Sequence, residues 1–303
     1  MNNFIALFLT PAFAFAILRV TTPILFASLG SVISDKAGVS NIAMEGTMLT
    51  ASLAGVLVSA YSGSAFVGLL AALLVGVLFS AFMAYISLYL GTKIIMAGIA
   101  LNLFASSFTV YVLYMFTGQK GNSASLASKQ LPTIDLPIIK DIPVLGEIIS
   151  GHNVLVYVAL ISIVVIYVML NRTKLGAHIK AVGENPSAAA SVGINVRKVQ
   201  FISLCLSGLL AGFGGAFMSM GYLSMFTRDM IAGRGWIAIA ASAMGKSMVI
   251  PTVITSFLFG IFSAVGNVLQ LQNMPSELIS TLPYVAVFIG LVGYSIRKSK
   301  KEN

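Results

Sequence analysis

Along the chain, apolar stretches alternate with short polar connections on a scale of about 20 residues, the helix length that crosses a bilayer. Eight stretches reach that scale: Ile5 to Ile33, Ile42 to Tyr61, Ala65 to Leu90, Ile94 to Phe116, Val154 to Leu170, Val199 to Tyr222, Met248 to Leu271 and Leu278 to Ile296. Between Gly46 and Thr92 there is no charged residue at all. A ninth stretch, Ile231 to Met244, is shorter and carries Arg234, which predicts a broken or re-entrant helix. The pattern predicts an all-α fold: a polytopic transmembrane bundle of about 8–10 helices forming a single domain over residues 1–303.

Composition sharpens this. Hydrophobic residues make up 58% of the chain and charged residues 9%, against roughly 45–50% and 25% in soluble domains, so a soluble globular protein is excluded. The net charge of +9 comes from 18 Lys and Arg against 9 Asp and Glu. Basic residues gather in cytoplasmic connections by the positive-inside rule, which accounts for the excess without nucleic acid. With the tail Arg297, Lys298, Lys300 and Lys301 placed in the cytoplasm and the ninth stretch taken as a crossing, only Lys120, Lys129, Lys140 and Arg228 fall outside, and Arg19 and Arg234 lie within spans. The same count puts the N-terminus outside, with a break near Pro23 as an alternative that would split the first span. The lone Cys205 sits in an apolar stretch and reads as a packing residue. No cleavable signal peptide is expected, because a basic n-region is missing.

Two connections are long. The extracellular loop, 117–153, balances Lys120, Lys129 and Lys140 against Asp135, Asp141 and Glu147, and its Pro132, Pro137 and Pro143 favour turns and extended chain. The cytoplasmic loop, 171–198, spells a short helix: Asn185 is a good N-cap, Pro186 suits the first helical position, Ala188 and Ala189 fill the middle, and Gly193 suits a left-handed end. Two turns of helix are unstable alone in water. The helix therefore docks, either on its own membrane domain or on a partner, and helix chemistry leaves both open.

A weak pseudo-repeat of two halves is visible. Gly38-Val-Ser-Asn-Ile-Ala43 and Gly233-Arg-Gly-Trp-Ile-Ala238 share Gly-x-x-x-Ile-Ala, and paired broken segments of this kind point to a transporter's solute path. In the interrupted stretch Ser34 to Gly46 around the first copy, Asn41 and Glu45 either line a polar passage or belong to a cytoplasmic loop with an Asp35–Lys36 pair. In the second copy, Arg234 either pairs with Asp229 or faces a solute's base or sugar hydroxyls, and Trp236 suits an interface. Arg19 and Asn102 are isolated polar groups in apolar helices that need internal partners; Asn102 either lines the path or joins two helices. The run from Ser207 to Gly215 is rich in small residues and reads as close helix packing. Motifs for ATP or zinc hydrolysis chemistry are missing, and His152 and His178 fall on opposite faces, so neither catalysis nor a cofactor or metal is expected.

Three stretches resemble one family: Ser34 to Gly46, Arg172 to Asn195 and Gly233 to Ala240. They are similar to the permease subunits of bacterial ABC importers of the ribose, simple-sugar and nucleoside group, and Gly-Val-Ser-Asn-Ile-Ala-x-Glu-Gly is nearest the nucleoside, guanosine-type branch. The resemblance covers about Thr21 to Ile296; Lys36 departs from it where Arg is expected, and Ala97-Gly98 where some members are bulkier. It implies that Gly183, Glu184, Asn185, Pro186, Ala188, Ala189, Gly193 and Asn195 form a coupling helix seated in a groove of a separate ATPase. It further implies a second, homologous permease, an extracellular substrate-binding lipoprotein, a nucleoside or related sugar as solute, and a multi-pass place in the bacterial cytoplasmic membrane. Asn41, Glu45, Asn102, Arg234 and Trp236 are then the candidate lining of an alternating-access path. The main rival is a secondary nucleoside or sugar transporter, for which the docked helix has no evident task.

Overall fold

The computed structural model describes residues 10–137, 145–270 and Val285. Apart from Val285, the eighth expected span, Leu278 to Ile296, lies outside the described residues, as do the basic tail, the start of the first span, and Lys140, Asp141 and Pro143.

The first helix, α1 (Pro11–Lys36), is capped by the Thr10 side chain, which accepts from the Phe13 amide at 3.3 Å. It runs through Pro23 without ending, so the alternative of two shorter pieces does not hold. Thr21 and Thr22 hydroxyls bond to the carbonyls of Ile17 and Leu18 at 2.7 and 2.8 Å beside the proline. Packing against Gly214 and Gly260 encloses that turn, which is how membrane helices tolerate proline.

Next come α2 (Met44–Ser62), α3 (Ala65–Leu88) and α4 (Ile94–Thr117), then the pair β1 (Thr133–Ile134) and β2 (His152–Asn153) with the short α5 (Leu145–Ile149) between them. The chain continues as α6 (Val154–Arg172), α7 (Lys174–Glu184), α8 (Pro186–Ser191), α9 (Val196–Phe217) ending in a π turn (Met218–Tyr222), α10 (Arg234–Met244) and α11 (Val249–Gln270). Six of the described helices are long and apolar enough to span a membrane. Helix α2 is the informative exception: it is 19 residues long but carries Glu45, Thr47, Thr50, Ser52 and Ser59. It lies at the centre, wrapped by α3, α4, α9 and α10, so its polar groups meet protein and not lipid. Large apolar side chains such as Leu70, Leu74, Leu78, Leu103, Val164 and Ile254 are exposed on α3, α4, α6 and α11 and form the lipid-facing belt.

Lipid solvates apolar side chains as well as other helices do, so association rests on close packing. The small-residue run supplies it. A Cβ on Gly208 would run into the Gly76 carbonyl and Ser80, one on Gly212 would lie 3.1 Å from the Ala72 carbonyl, and one on Gly215 would strike the Met48 carbonyl. The other end of α9 opens into the π turn, where Arg19 donates to the Tyr222 carbonyl at 2.8 Å and lies over that ring at 4.6 Å. Arg19 thus has an internal partner.

The loop after α4 folds back on the chain beyond α9: the Ser123 amide donates to the Phe226 carbonyl at 2.9 Å and the Leu131 amide to that of Met220 at 3.0 Å. His152 anchors it, stacked on Phe15 at 3.8 Å and donating from Nε2 to the Ile148 carbonyl at 2.9 Å. Burial holds its imidazole below the usual value; the Ile148 bond opposes this and the Arg19 charge adds to it. The folded state therefore binds fewer protons than the unfolded one, and stability falls as pH drops below about 6.5. His152→Phe keeps the stack without titrating. Phenylalanine gives up the bond to Ile148, which sets the difference at neutral pH, but the variant's melting temperature in detergent relative to the parent's is expected to rise between about pH 7 and pH 5; a constant difference would contradict the assignment.

Candidate functional site

Two interruptions of helix define the interior. In the first, Gly38 takes a φ of +74° past the end of α1, and residues 37–43 stay irregular. The buried Asn41 donates from Nδ2 to Ser80 Oγ at 3.2 Å and Ser207 Oγ at 3.0 Å. Those serines lie well inside α3 and α9, on the order of 12–17 Å from the ends at Leu88 and Val196 at 1.5 Å per residue, so Asn41 reaches the middle of the bundle. Its Oδ1 is buried without a hydrogen-bond partner among the described residues. From α4, Asn102 spans the same break: Oδ1 accepts from the Gly46 amide and Nδ2 donates to the Ile42 carbonyl, both at 2.8 Å. A Cβ on Gly98 would come within 2.5 Å of Ile42 Cβ, which gives the small Ala97-Gly98 pair a local reason.

In the second interruption, residues 223–233 are irregular until Gly233, at φ +79°, caps α10. Eleven residues make α10 about 16 Å long, roughly half the hydrocarbon core. Glu45 closes its start, with Oε1 accepting from the Gly233 amide at 2.8 Å and Oε2 from the Gly235 amide at 2.7 Å. A carboxylate on first-turn amides is favoured by the helix dipole. The two copies of Gly-x-x-x-Ile-Ala therefore meet at one side chain, but they differ in conformation: Ile42 and Ala43 precede their helix, whereas Ile237 and Ala238 lie inside α10. The second copy turns helical at once because Glu45 supplies its terminal acceptor.

The Arg234 guanidinium donates to the Ile231 carbonyl at 2.9 Å and that of Met230 at 3.4 Å. Asp229 accepts from Ser106 at 2.8 Å and pairs with Arg228 at 3.4 Å. Trp236 is 41% exposed. Ile42, Glu45, Asn102, Ser106 and Arg234 are half-buried, so the junction of the two breaks reaches an open flank of the molecule.

On the face where α1 ends, the connection from α6 to α9 holds two helices. The sequence reading missed α7, although Thr173, whose Oγ1 accepts from the Gly176 amide at 3.1 Å, and Leu175, Ile179 and Val182 at helical spacing signal it. Helix α8 matches its residues: Asn185 Oδ1 accepts from the Ala188 amide at 3.0 Å, Pro186 opens the helix and Gly193 takes a φ of +85°. Asn195 caps α9 through the Lys198 amide at 3.0 Å. Glu184, Ala188 and Gly193 are exposed and Ala189 is buried. Val192, an apolar residue beside them, is 76% exposed. Gly183 lies against the first break, where a Cβ would strike the Lys36 carbonyl and lie 3.2 Å from the Gly38 amide.

Asp35 was undervalued from sequence. Its carboxylate accepts from Ser40 at 2.7 Å, Ser242 at 2.8 Å, Ser31 at 3.1 Å and Ser247 at 3.4 Å, whereas Lys36 lines a separate cavity of about 360 Å³ with Lys180 and Tyr167. Serines scattered over two hundred residues give no joint signal before the chain is folded.

Long apolar helices wrapped round buried, polar helix breaks are the architecture of a membrane permease. The chain belongs to the family described as branched-chain amino acid transport system, permease component, which matches residues 13–292. It is 31% identical over 282 residues, 89% of this chain and 88% of the relative, to the nucleoside ABC transporter permease protein NupC of Lactococcus lactis subsp. cremoris. It is 30% identical over 292 residues, 92% and 90% respectively, to the guanosine ABC transporter permease protein NupQ of Bacillus subtilis. A putative glucose ABC transporter permease protein, TsgC13 of Haloferax volcanii, is 29% identical over 281 residues, 91% and 83%. No solved structure matches the chain. The protein is thus a multi-pass ABC permease of the cytoplasmic membrane, a transport subunit and not an enzyme, and such subunits work with an ATPase and a binding protein.

Proposed function

We propose that this chain forms one half of the membrane path of an ATP-driven nucleoside importer. A second, homologous permease covers the open flank where the two breaks meet, a lipoprotein delivers the solute from outside, and the ATPase grips residues 183–195 in the cytoplasm. Loop 117–153 then lies outside, as does the N-terminus. The similarity to permeases named for nucleosides and guanosine, along nearly the whole of both chains, supports the solute class.

One observation carries the ATPase reading: α8 has six residues, buries only Ala189 against its own chain, and is followed by Val192 at 76% exposure, an apolar side chain left outside the fold. A groove on a partner would bury that apolar side chain and the exposed alanine beside it. Within the path, Asn41 keeps a buried acceptor that no described residue bonds to, and Arg234 and Trp236 stand at the rim of the same junction. Glu45 and Asn102 hold the backbone of that junction and thereby shape the path.

Co-purification tests the reading. Tagged permease expressed with its ATPase should retain it, and replacing 183–195 with a Gly/Ser linker should release it while the permease still inserts. Retention of the ATPase after the replacement would refute the grip. Uptake that survives a catalytically dead ATPase but collapses with an uncoupler would make the protein a secondary carrier instead.

A further inference from the structure

Helix α10 is held at both ends by side chains from one place. At its start, the Gly233 and Gly235 amides donate to the two oxygens of Glu45 at 2.8 and 2.7 Å. Near its end, Ser242 Oγ donates to Asp35 Oδ2 at 2.8 Å, and Ser247 just beyond it donates to the same oxygen at 3.4 Å. Asp35 and Glu45 flank the irregular segment 37–43. Two carboxylates of the first break therefore bracket the short helix of the second.

The same segment touches the face proposed for the ATPase. Gly183 packs on the Lys36 carbonyl and the Gly38 amide with no room for a Cβ, and Gln200 Nε2 donates to the Ala37 carbonyl at 3.3 Å. A displacement of residue 183 toward the first break must push Lys36 to Gly38 ahead of it, since atoms in van der Waals contact cannot interpenetrate. The bracket decides what moves with them. Hydrogen bonds to a carboxylate are roughly twice as strong as neutral ones, and Asp35 and Glu45 between them accept from four serine hydroxyls and two backbone amides. Contact at Gly235 is also tight, with a Cβ there only 2.6 Å from the Glu45 amide nitrogen.

We propose that Asp35 and Glu45 are positioning residues that make segment 37–43 and helix α10 one rigid lever. The lever carries motion of the 183–195 segment into the second half of the permease. Asp35 and Glu45 touch backbone and serine hydroxyls in this role and bind no solute. The inference rests on the reading of 183–195 as the ATPase grip, and the linker replacement described above tests that reading separately.

The chemistry at the two ends differs, and the difference gives the test. Serine hydroxyls can donate or accept, so Asp35→Asn can be satisfied by turning them; backbone amides only donate, so the new NH₂ of Glu45→Gln must face one of them. In proteoliposomes holding the whole transporter, Asp35→Asn should keep uptake within about twofold of the parent. Glu45→Gln should lower uptake at least tenfold at unchanged half-saturating solute, while the ATPase stays bound and ATP hydrolysed per solute rises. Unchanged uptake in Glu45→Gln, or a shifted half-saturation with an unchanged ATP ratio, would overturn the proposal, the latter by making Glu45 a solute ligand. A second measurement leaves Glu45 in place and substitutes a covalent tie for the Asp35 end: in a Cys205→Ser background, Asp35→Cys with Ser242→Cys is bridged by a short, cleavable thiol cross-linker. A lever that stays shut transports when bridged; loss of uptake on bridging, restored when the bridge is cleaved, would show that the two parts separate and would sink the idea.

Discussion

Gly208→Leu is expected to cost the protein its fold, with at least a tenfold loss of monodisperse permease after detergent extraction. Helices α3 and α9 approach through glycine on both sides: a Cβ on Gly208 would run into the Gly76 carbonyl, and one on Gly76 would lie 2.5 Å from the Gly208 carbonyl. These are backbone atoms, which cannot rotate aside. Overpacking a core costs about 1–3 kcal/mol by itself. Here a second cost is attached, because Ser80 and Ser207, the two partners of the buried Asn41 amide, sit on the same seam. Prying the helices apart strands those groups at about 1–3 kcal/mol each, against a total stability of roughly 5–15 kcal/mol. Gly121→Leu is the control, since nothing lies within 4 Å of a Cβ there. A normal extraction profile for Gly208→Leu would mean that the seam is not what holds α3 to α9.

The parts of this architecture that sequence reveals are those written in side chains. Bilayer spans are legible because charge is expensive in hydrocarbon, and the seam is legible because a run such as Ser207 to Gly215 has few uses besides close approach. Helix α8 is legible because Asn185, Pro186 and Gly193 each announce a position in a helix. The breaks at residues 38 and 233 are legible as glycines with polar neighbours. Their meeting is not. Glu45 binds the amides of Gly233 and Gly235, and an amide proton looks the same at every residue. Asp35 is satisfied by serines, each unremarkable alone, and Gly183 meets Gly38 only through backbone. Even the central place of α2 is ambiguous in one dimension, since Thr47, Thr50, Ser52 and Ser59 weaken it as a span and identify it as an enclosed helix only once its neighbours are known. What escapes sequence is thus the set of bonds that connect the halves, and those bonds carry the mechanical argument.

Asn102→Leu is expected to abolish uptake while leaving the permease in the membrane with its ATPase bound. The side chain is nearly isosteric with leucine, so the α2–α4 contact keeps its volume; what disappears is an amide that holds the first break open to a fixed shape. Its Oδ1 accepts from Gly46 and its Nδ2 donates to Ile42, both at 2.8 Å. Leucine leaves the amide of buried Gly46 and the carbonyl of half-buried Ile42 without these partners, at about 1–3 kcal/mol each, and the break can recover them only by changing conformation. Any such change moves Glu45, three residues beyond Ile42, and with it the start of α10. Asn102→Asp separates the two functions of the amide. Its carboxylate still accepts from Gly46 but meets the Ile42 carbonyl with an oxygen, so it should fall between parent and leucine in uptake. The measurement is initial uptake rate in proteoliposomes at saturating solute, normalised to reconstituted permease. Parent-like uptake in Asn102→Leu would show that the break holds its shape without α4, and the two halves would then have to be registered by α10 and its carboxylates alone.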